Sequence, residues 1–363
     1  MSTYPIVIYG MSGYTGRLIA EYLTKRGLPF VAAGRSRERL EAALKQVPGN
    51  PVADIQVVNH DEGELTRLFK GASIVVNVTG PFGQLAWPVI RAALENNCHY
   101  IDTTGEQDYF TKLRDEYGAA FAAKGLGAIS SCAYMWTAGM IAAELALEDS
   151  SLHTLDILYA PRGLPTVAST LSFLRMNCLP QHFKQDGTLQ TWPAASVSEV
   201  AVPGRHAVHV GLPWGGGMEP LWLADDERVL SCQVQVAFPK GPLTSFLVDR
   251  MQEYQELAKT KSEQELEAIT NAWGNAIAAE PPKEIPQVNH TIISCWARGT
   301  TSGRHLQLYT TSAYLTTGAL VADACHRILN AGLLKTGVQP ATAAFGHRNL
   351  INNLIKEGLH CKV

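Results

Sequence analysis

Short apolar runs alternate with amphipathic stretches through the first 130 residues. The runs Ile6–Tyr9, Phe30–Ala33, Ile55–Val58, Ile74–Val78, Tyr100–Asp102 and Gly127–Ser130 have the length and continuity of strands buried on both faces. Between them, Thr15–Arg26, Ser36–Gln46, Glu62–Phe69, Ala86–Asn96 and Tyr109–Lys124 read as helices. That alternation predicts βαβ units with right-handed crossovers, and so a doubly wound α/β domain over residues 1–145.

From about residue 151 the rhythm changes. Leu230–Val236 alternates with period two, as a strand with one wet face does. Leu155–Ala160, His206–Val210, Ile292–Ala297 and Leu306–Thr311 are similar, and the last two flank a hairpin turn at Gly299–Gly303. The charge-rich stretch Leu243–Ile277 reads as one long helix, ended by Pro281-Pro282. Residues 146–312 are therefore expected to form an α+β substrate domain with a mainly antiparallel sheet. Helical patterns return at Ala313–Leu329 and Phe345–Lys356, and residues 313–363 are expected to pack back on the first domain.

Composition narrows the class. With 363 residues, 46% hydrophobic and 17% charged, the chain is long enough for two cores. A formal charge of -3 and the lack of a basic run argue against nucleic acid as a partner. The opening segment Met1–Pro5 has no basic n-region, and its apolar run is too short for a signal peptide or a membrane span. Cysteines 98, 132, 178, 232, 295, 325 and 361 are odd in number and lack a Cys-x-x-Cys pair. They read as reduced, mostly buried thiols of a cytoplasmic protein. His206 and His209, at i and i+3 on a strand, face opposite sides, so no metal site is expected.

Chemistry concentrates at the first strand–helix junction, Gly10-Met11-Ser12-Gly13-Tyr14-Thr15-Gly16. Glycines there permit a tight turn and close approach of backbone N–H groups to a pyrophosphate at the positive end of a helix. Ser12 and Thr15 add hydroxyls. A lone glycine pattern is weak, but this one sits where a Rossmann domain needs it. The second strand then ends Ala33-Gly34-Arg35-Ser36, without the carboxylate that binds the ribose hydroxyls of NAD. Arg35 can hold a 2′-phosphate and Ser36 can donate to it, which favours NADP(H). The plainer reading makes Arg35 and Arg37 solvated residues of a helix start.

Loops at the carboxyl ends of later strands come next. Asn77–Gly83 would pass the cofactor's ribose and nicotinamide, with Thr79, Gly80, Pro81, Phe82 and Gly83 as contacts. Asp102 and Glu106 either act in acid–base chemistry or hold their loop through backbone hydrogen bonds. Tyr134 is the preferred proton donor, or else a wall of the pocket. Trp136, Arg162 and Trp214 are candidate substrate contacts: Arg162 by pairing with a carboxylate, Trp214 in a flexible glycine stretch, Trp214–Met218, that could serve as a lid. The ordinary alternatives are a surface ion pair and a plain loop.

Four of these segments together resemble the saccharopine dehydrogenase-like family, including its reductases and trans-acting enoyl reductases. They are Ile8–Gly16, Ala33–Ser36, Val78–Phe82 and Tyr100–Glu106, and Gly337–Ala341 with Phe345-Gly346 resembles the family's ending. The resemblance covers about the first 145 residues. It implies NADP(H) or NAD(H) binding and hydride transfer to or from a C–N or C=C bond. Where members often carry a Cys-Gly-Phe-Asp-Ser-x-Pro-like segment, this chain has Cys132-Ala133-Tyr134-Met135-Trp136-Thr137-Ala138-Gly139. Loss of the acidic residue and proline points away from saccharopine and toward an apolar or aromatic substrate. The expectation is an NADPH-dependent reductase of a small molecule with a C=N bond, a cyclic imine for example. The alternatives are an enoyl reductase and a non-catalytic NADP-binding sensor or scaffold. A homodimer through an exposed sheet of the second domain is a further expectation.

Overall fold

The computed structural model describes residues 2–362, except for the side chains of Cys361 and Lys362, so the expectation for the Cys361 thiol lies outside the described residues. Two compact units emerge. One comprises the residues up to Thr104, then Asp108–Thr137 and Tyr314–Leu359; the other holds Gly105–Gln107, Ala138–Ala313 and the residues from His360 on.

In the first unit the apolar runs become strands β1 (Ile6–Tyr9), β2 (Phe30–Gly34), β3 (Ala53–Val57), β4 (Ile74–Asn77), β5 (His99–Asp102) and β6 (Gly127–Ile129). All pair in parallel, in the order β6-β5-β4-β1-β2-β3. The chain reverses direction across the sheet at β1 and β4, and their carboxyl ends define the switch point where such sheets bind ligands. β1, β2 and β4 are wholly buried, as their unbroken apolar runs require. β3, half-exposed at the edge, starts two residues earlier than its apolar residues suggest. Helices Arg37–Leu44 and Glu62–Phe69 begin where side-chain oxygens accept first-turn amides: Ser36 from Arg39 N–H, Asp61 from Glu64 N–H.

The tail does more than add helices. Helix Ala313–Asn330 lies so close to helix Tyr14–Lys25 that a Cβ on Gly318 would come within 3.0 Å of the Leu18 carbonyl. Arg26 meets Glu357 at 3.0 Å and Asp323 at 3.5 Å. Beyond the helix, Gly337–Gln339 pairs in parallel with β6 as a seventh strand, covering an edge that would otherwise be bare. Three residues are too few to show a period, so the pattern alone does not reveal it.

The second unit contains β7 (Thr154–Ala160), β8 (His182–Gln185), β9 (Thr188–Thr191), β10 (Ser198–Ala201), β11 (Val208–Leu212), β12 (Ser231–Phe238), β13 (Thr291–Arg298) and β14 (Gly303–Thr310). Numbering the tail strand Gly337–Gln339 as β15 and His360–Lys362 as β16, the sheet order is β10-β11-β12-β7-β13-β14-β16, with hairpin β8–β9 against β12. Only β12–β7 is parallel among these pairs, so the sheet is mainly antiparallel as expected. Leu155, Ile157 and Tyr159 alternate inward against Cys232, Val234 and Val236.

Three expectations need correcting. Residues 313–363 do not all join the first unit, because β16 completes the second sheet. The units part within helix Tyr134–Ala146, at Thr137/Ala138, rather than at residue 145. The single helix Leu243–Ile277 is two, Pro242–Leu257 and Glu263–Ile277, since Ser262 and Glu265 close a reciprocal capping box that starts the second. Among the described residues the six cysteines are free and buried, and no helix is long and apolar enough to cross a membrane.

Candidate cofactor site

The glycine loop leaves β1 at Gly10, whose φ of +93° suits a residue without Cβ. Gly10 N–H donates to Ala33 O at 3.0 Å, tying the turn to β2, and Gly13 N–H closes it on Gly10 O at 3.0 Å. A Cβ on Gly16 would lie 2.7 Å from Met11 Cα and 2.8 Å from Gly10 O, so helix and loop backbones touch here. Helix Tyr14–Lys25 starts without a side-chain cap. A helix start of this kind, behind a glycine turn, is suited to holding a pyrophosphate. Ser12 and Thr15 are half-buried beside it. The ring of Tyr14 is core, packed edge-on to Tyr314 at 5.2 Å, which leaves its backbone as its contribution.

At the end of β2, Arg35 is exposed. The Ser36 oxygen is engaged as the cap of the next helix, while its O–H remains a possible donor. A pair that sequence reading did not single out adjoins them. Tyr9 Oη and His60 Nδ1 lie 2.9 Å apart with their rings stacked, reaching across the small residues that end β2. Burial pushes the His60 imidazole down, and the nearby Arg35 charge adds to that, so His60 is neutral at physiological pH.

At the end of β4, Thr79 donates through both N–H and hydroxyl to Asn77 Oδ1, at 3.1 and 2.5 Å. Pro81 opens the helical turn Phe82–Leu85, and Phe82 packs on Tyr109 at 5.8 Å. Pro81 and Phe82 are buried, so they shape the loop from beneath, while Thr79, Gly80 and Gly83 are half-exposed along it. Because the strand order is β4-β1-β2, this loop, the glycine loop and Arg35 form one continuous edge.

The acid–base candidates fare differently. Asp102 is fully buried. Its carboxylate accepts from Ser131 N–H at 2.8 Å, Thr104 N–H at 3.1 Å and Tyr109 Oη at 2.9 Å, with Ser130 Oγ at 3.3 Å. Burial still pushes its pKa up to about 6. Of the two roles open to it, the geometry is that of a loop anchor. Glu106, equally buried, is bound by Arg175 Nη1 at 2.9 Å and Ser172 Oγ at 3.2 Å within the second unit. Tyr134 and Trp136 are both buried, and Tyr134 N–H donates to Thr317 Oγ1 at 3.0 Å.

Two substrate candidates in the second unit are repositioned. Arg162 is exposed in the loop after β7, where its carbonyl accepts from Asn289. Trp214 is no part of a flexible lid. Its ring is sandwiched between Phe173 and Phe238, each 4.8 Å away, and Gly215, Gly216 and Gly217 are buried in a short 3-10 turn. Among the described residues no His, Cys, Asp and Glu cluster could hold a metal ion.

Residues 6–126 match the family model described as the saccharopine dehydrogenase NADP binding domain, and residues 137–362 match one described as a family of unknown function (DUF5938). The chain belongs to that second family, and its kinship with the saccharopine dehydrogenase-like proteins is established. A saccharopine dehydrogenase-like oxidoreductase of Homo sapiens is 27% identical over 208 residues, covering 52% of this chain and 44% of its own. A lipid droplet localized protein of Caenorhabditis elegans is 32% identical over 144 residues, 37% of this chain and 34% of its own. The chain thus spans less than half the length of these relatives. Apo saccharopine dehydrogenase (L-Glu forming) of Saccharomyces cerevisiae superposes with a TM-score of 0.63 at 11% identity, over 99% of this chain and 100% of that one, a likeness of fold.

Proposed function

We propose that this saccharopine dehydrogenase-like protein is an NADP(H)-dependent oxidoreductase that transfers hydride to the carbon of a C=N bond in a small molecule. The observation that carries the reading is the edge formed by the end of β2, where exposed Arg35 stands in place of a carboxylate beside an uncapped helix start. The residues present fit the cofactor: Gly16 lets the loop close against a helix start that no side chain caps, and Arg35 is exposed at the end of β2. NADP(H) supplies the hydride when bound. The chain's own part is to orient it, through the Gly10–Gly16 amides on the pyrophosphate, Arg35 and Ser36 on the 2′-phosphate, and Thr79–Gly83 along the nicotinamide half.

A proton must reach the imine nitrogen. Asp102 and Glu106 are both engaged as acceptors, and Tyr134 is the candidate donor. Six buried free thiols accord with a reducing compartment such as the cytoplasm.

Titration with NADPH and NADH tests the reading. Arg35→Ala should weaken NADPH about 10- to 150-fold and leave NADH nearly unchanged, the value of one charge-assisted phosphate contact. A variant with unaltered preference would remove Arg35 from the site. A panel of cyclic imines and α,β-unsaturated acyl compounds, assayed at 340 nm, then decides the bond reduced. Turnover of the second class alone would replace C=N by C=C.

A further inference from the structure

The ends of β4 and β5 are wired together by hydrogen bonds whose directions are forced. Tyr109 Oη spends its single proton on Asp102 Oδ2, at 2.9 Å. In the 3.0 Å contact between the two phenols, Tyr100 must then be the donor. The Tyr100 oxygen in turn accepts from Asn77 Nδ2 at 3.0 Å, and that fixes which way the Asn77 amide points. Its Oδ1 faces the loop and takes both protons of Thr79, from N–H at 3.1 Å and from Oγ1 at 2.5 Å. Asn77, Tyr100, Tyr109 and Asp102 are all buried, whereas Thr79 is half-exposed at the rim. Having donated inward, the Thr79 hydroxyl has only lone pairs left to offer outward.

We propose that Asn77, Tyr100, Tyr109 and Asp102 are positioning residues for the nicotinamide half of the cofactor, a one-way hydrogen-bond chain that fixes Thr79 as an acceptor. This rests on the NADP(H) reading above. An acceptor at the end of β4 matches a ribose hydroxyl or the amide N–H2 of nicotinamide. The same carboxylate also binds the amides of Thr104 and Ser131, so the loops after β5 and β6 share one anchor with Thr79.

The chain needs Asp102 ionised. Protonated on Oδ2, it becomes a donor toward Tyr109 and the sequence of donors runs backwards. Tyr100 would then present its proton to the Asn77 amide nitrogen, donor against donor. Asn77 would have to turn, taking its carbonyl away from Thr79. Burial holds Asp102 at about 6, so the acceptor state is present above that pH and is lost below it. The other titratable groups packed around Asp102 are Tyr100, Tyr109 and Cys132, and burial pushes all three up and keeps them neutral.

The test compares NADPH with 2′,5′-ADP, which has the adenosine and 2′-phosphate but no nicotinamide. Thr79→Val and Tyr109→Phe should each weaken NADPH about tenfold and leave 2′,5′-ADP unchanged, the loss of about one hydrogen bond. In the wild type the ratio of the two affinities should fall as the pH is lowered through 6, and Asp102→Asn should abolish that dependence. Comparing the two ligands cancels the titration of their common 2′-phosphate. An unchanged ratio in Thr79→Val, a nearly isosteric change that cannot be blamed on misfolding, overturns the proposal. So does equal weakening of both ligands. Wild-type protein that binds neither ligand overturns the cofactor reading itself.

Discussion

Each unit of the molecule has a glycine-rich turn, and the two use glycine for opposite ends. In Gly10–Gly16 the missing side chains let the loop backbone touch the following helix while amides and hydroxyls line an open edge. In Trp214–Gly217 the space beside each glycine is already taken. A Cβ on Gly217 would lie 2.7 Å from Val234 Cβ and 2.9 Å from Glu219 Oε2. The turn is also pinned by Gln107, whose Nε2 donates to Gly217 O at 2.6 Å, and by Gln181, whose Oε1 accepts from Gly215 N–H at 2.8 Å. A turn whose glycines all meet side chains, and whose backbone is tied down by two glutamines, is a packed plug. Glycines such as Gly13 and Gly16, which meet only their own loop's backbone at a helix start without a side-chain cap, mark a cradle for an anion.

The sharpest way to break this comparison is Gly16→Ala. The new methyl would press on the Met11 and Gly10 backbones, and only the loop can yield. NADPH affinity should fall by at least about 100-fold, close to 3 kcal/mol, as read by fluorescence titration. Retained affinity would mean that the loop is not the cradle.

Next in size is Trp214→Ala, which empties the slot between Phe173 and Phe238. It should cost about 3 kcal/mol of stability in urea unfolding while leaving NADPH binding near wild type. A variant as stable as the wild type would return this turn to the status of a loose lid.

The smallest effect concerns Glu219, just beyond the plug, which accepts from Tyr159 Oη at 2.6 Å and from Met218 N–H at 3.0 Å. Burial raises its pKa from the ordinary 4.5 to about 7. The folded state thus holds a proton that the unfolded chain releases. Its contribution is whole below pH 4.5, declines as the pH rises to 7 and is flat beyond. The total swing is at most about 3 kcal/mol by linkage. Stability measured from pH 4.5 to 8 should show that decline in the wild type and a shallower one in Glu219→Gln. Parallel curves would place the titration elsewhere.

The sequence could be read where chemistry is local. Glu62–Phe69 was recovered end for end, because an acidic cap and an amphipathic period lie within one short stretch. The glycine loop and Arg35 were legible because the junction they occupy follows directly from the strand–helix order. Helices Tyr134–Ala146 and Val167–Cys178 were not, the first being apolar nearly all round and so without a contrasting face. The break at Ser262 was written in the chain as Ser-x-x-Glu, but the flanking charge pattern masked it. At the site, the Tyr100 partner of Asn77, the His60 partner of Tyr9 and the Ser130 and Ser131 that meet Asp102 lie one or two strands away. No spacing along the chain brings Asn77 to Tyr100, or Tyr9 to His60, until the register of the parallel sheet does.

The seventh strand has a consequence for the order of events in the cell. The sheet that carries the nucleotide edge is not closed until Gly337–Gln339 pairs with β6, and helix Tyr14–Lys25 waits as long for its cover. A ribosome adding about 5–20 residues per second needs on the order of ten seconds to make the intervening second unit. For that time the nascent chain presents a bare strand edge to whatever chaperone or neighbour is at hand. Strands made before the second unit are thus completed only by one made after it.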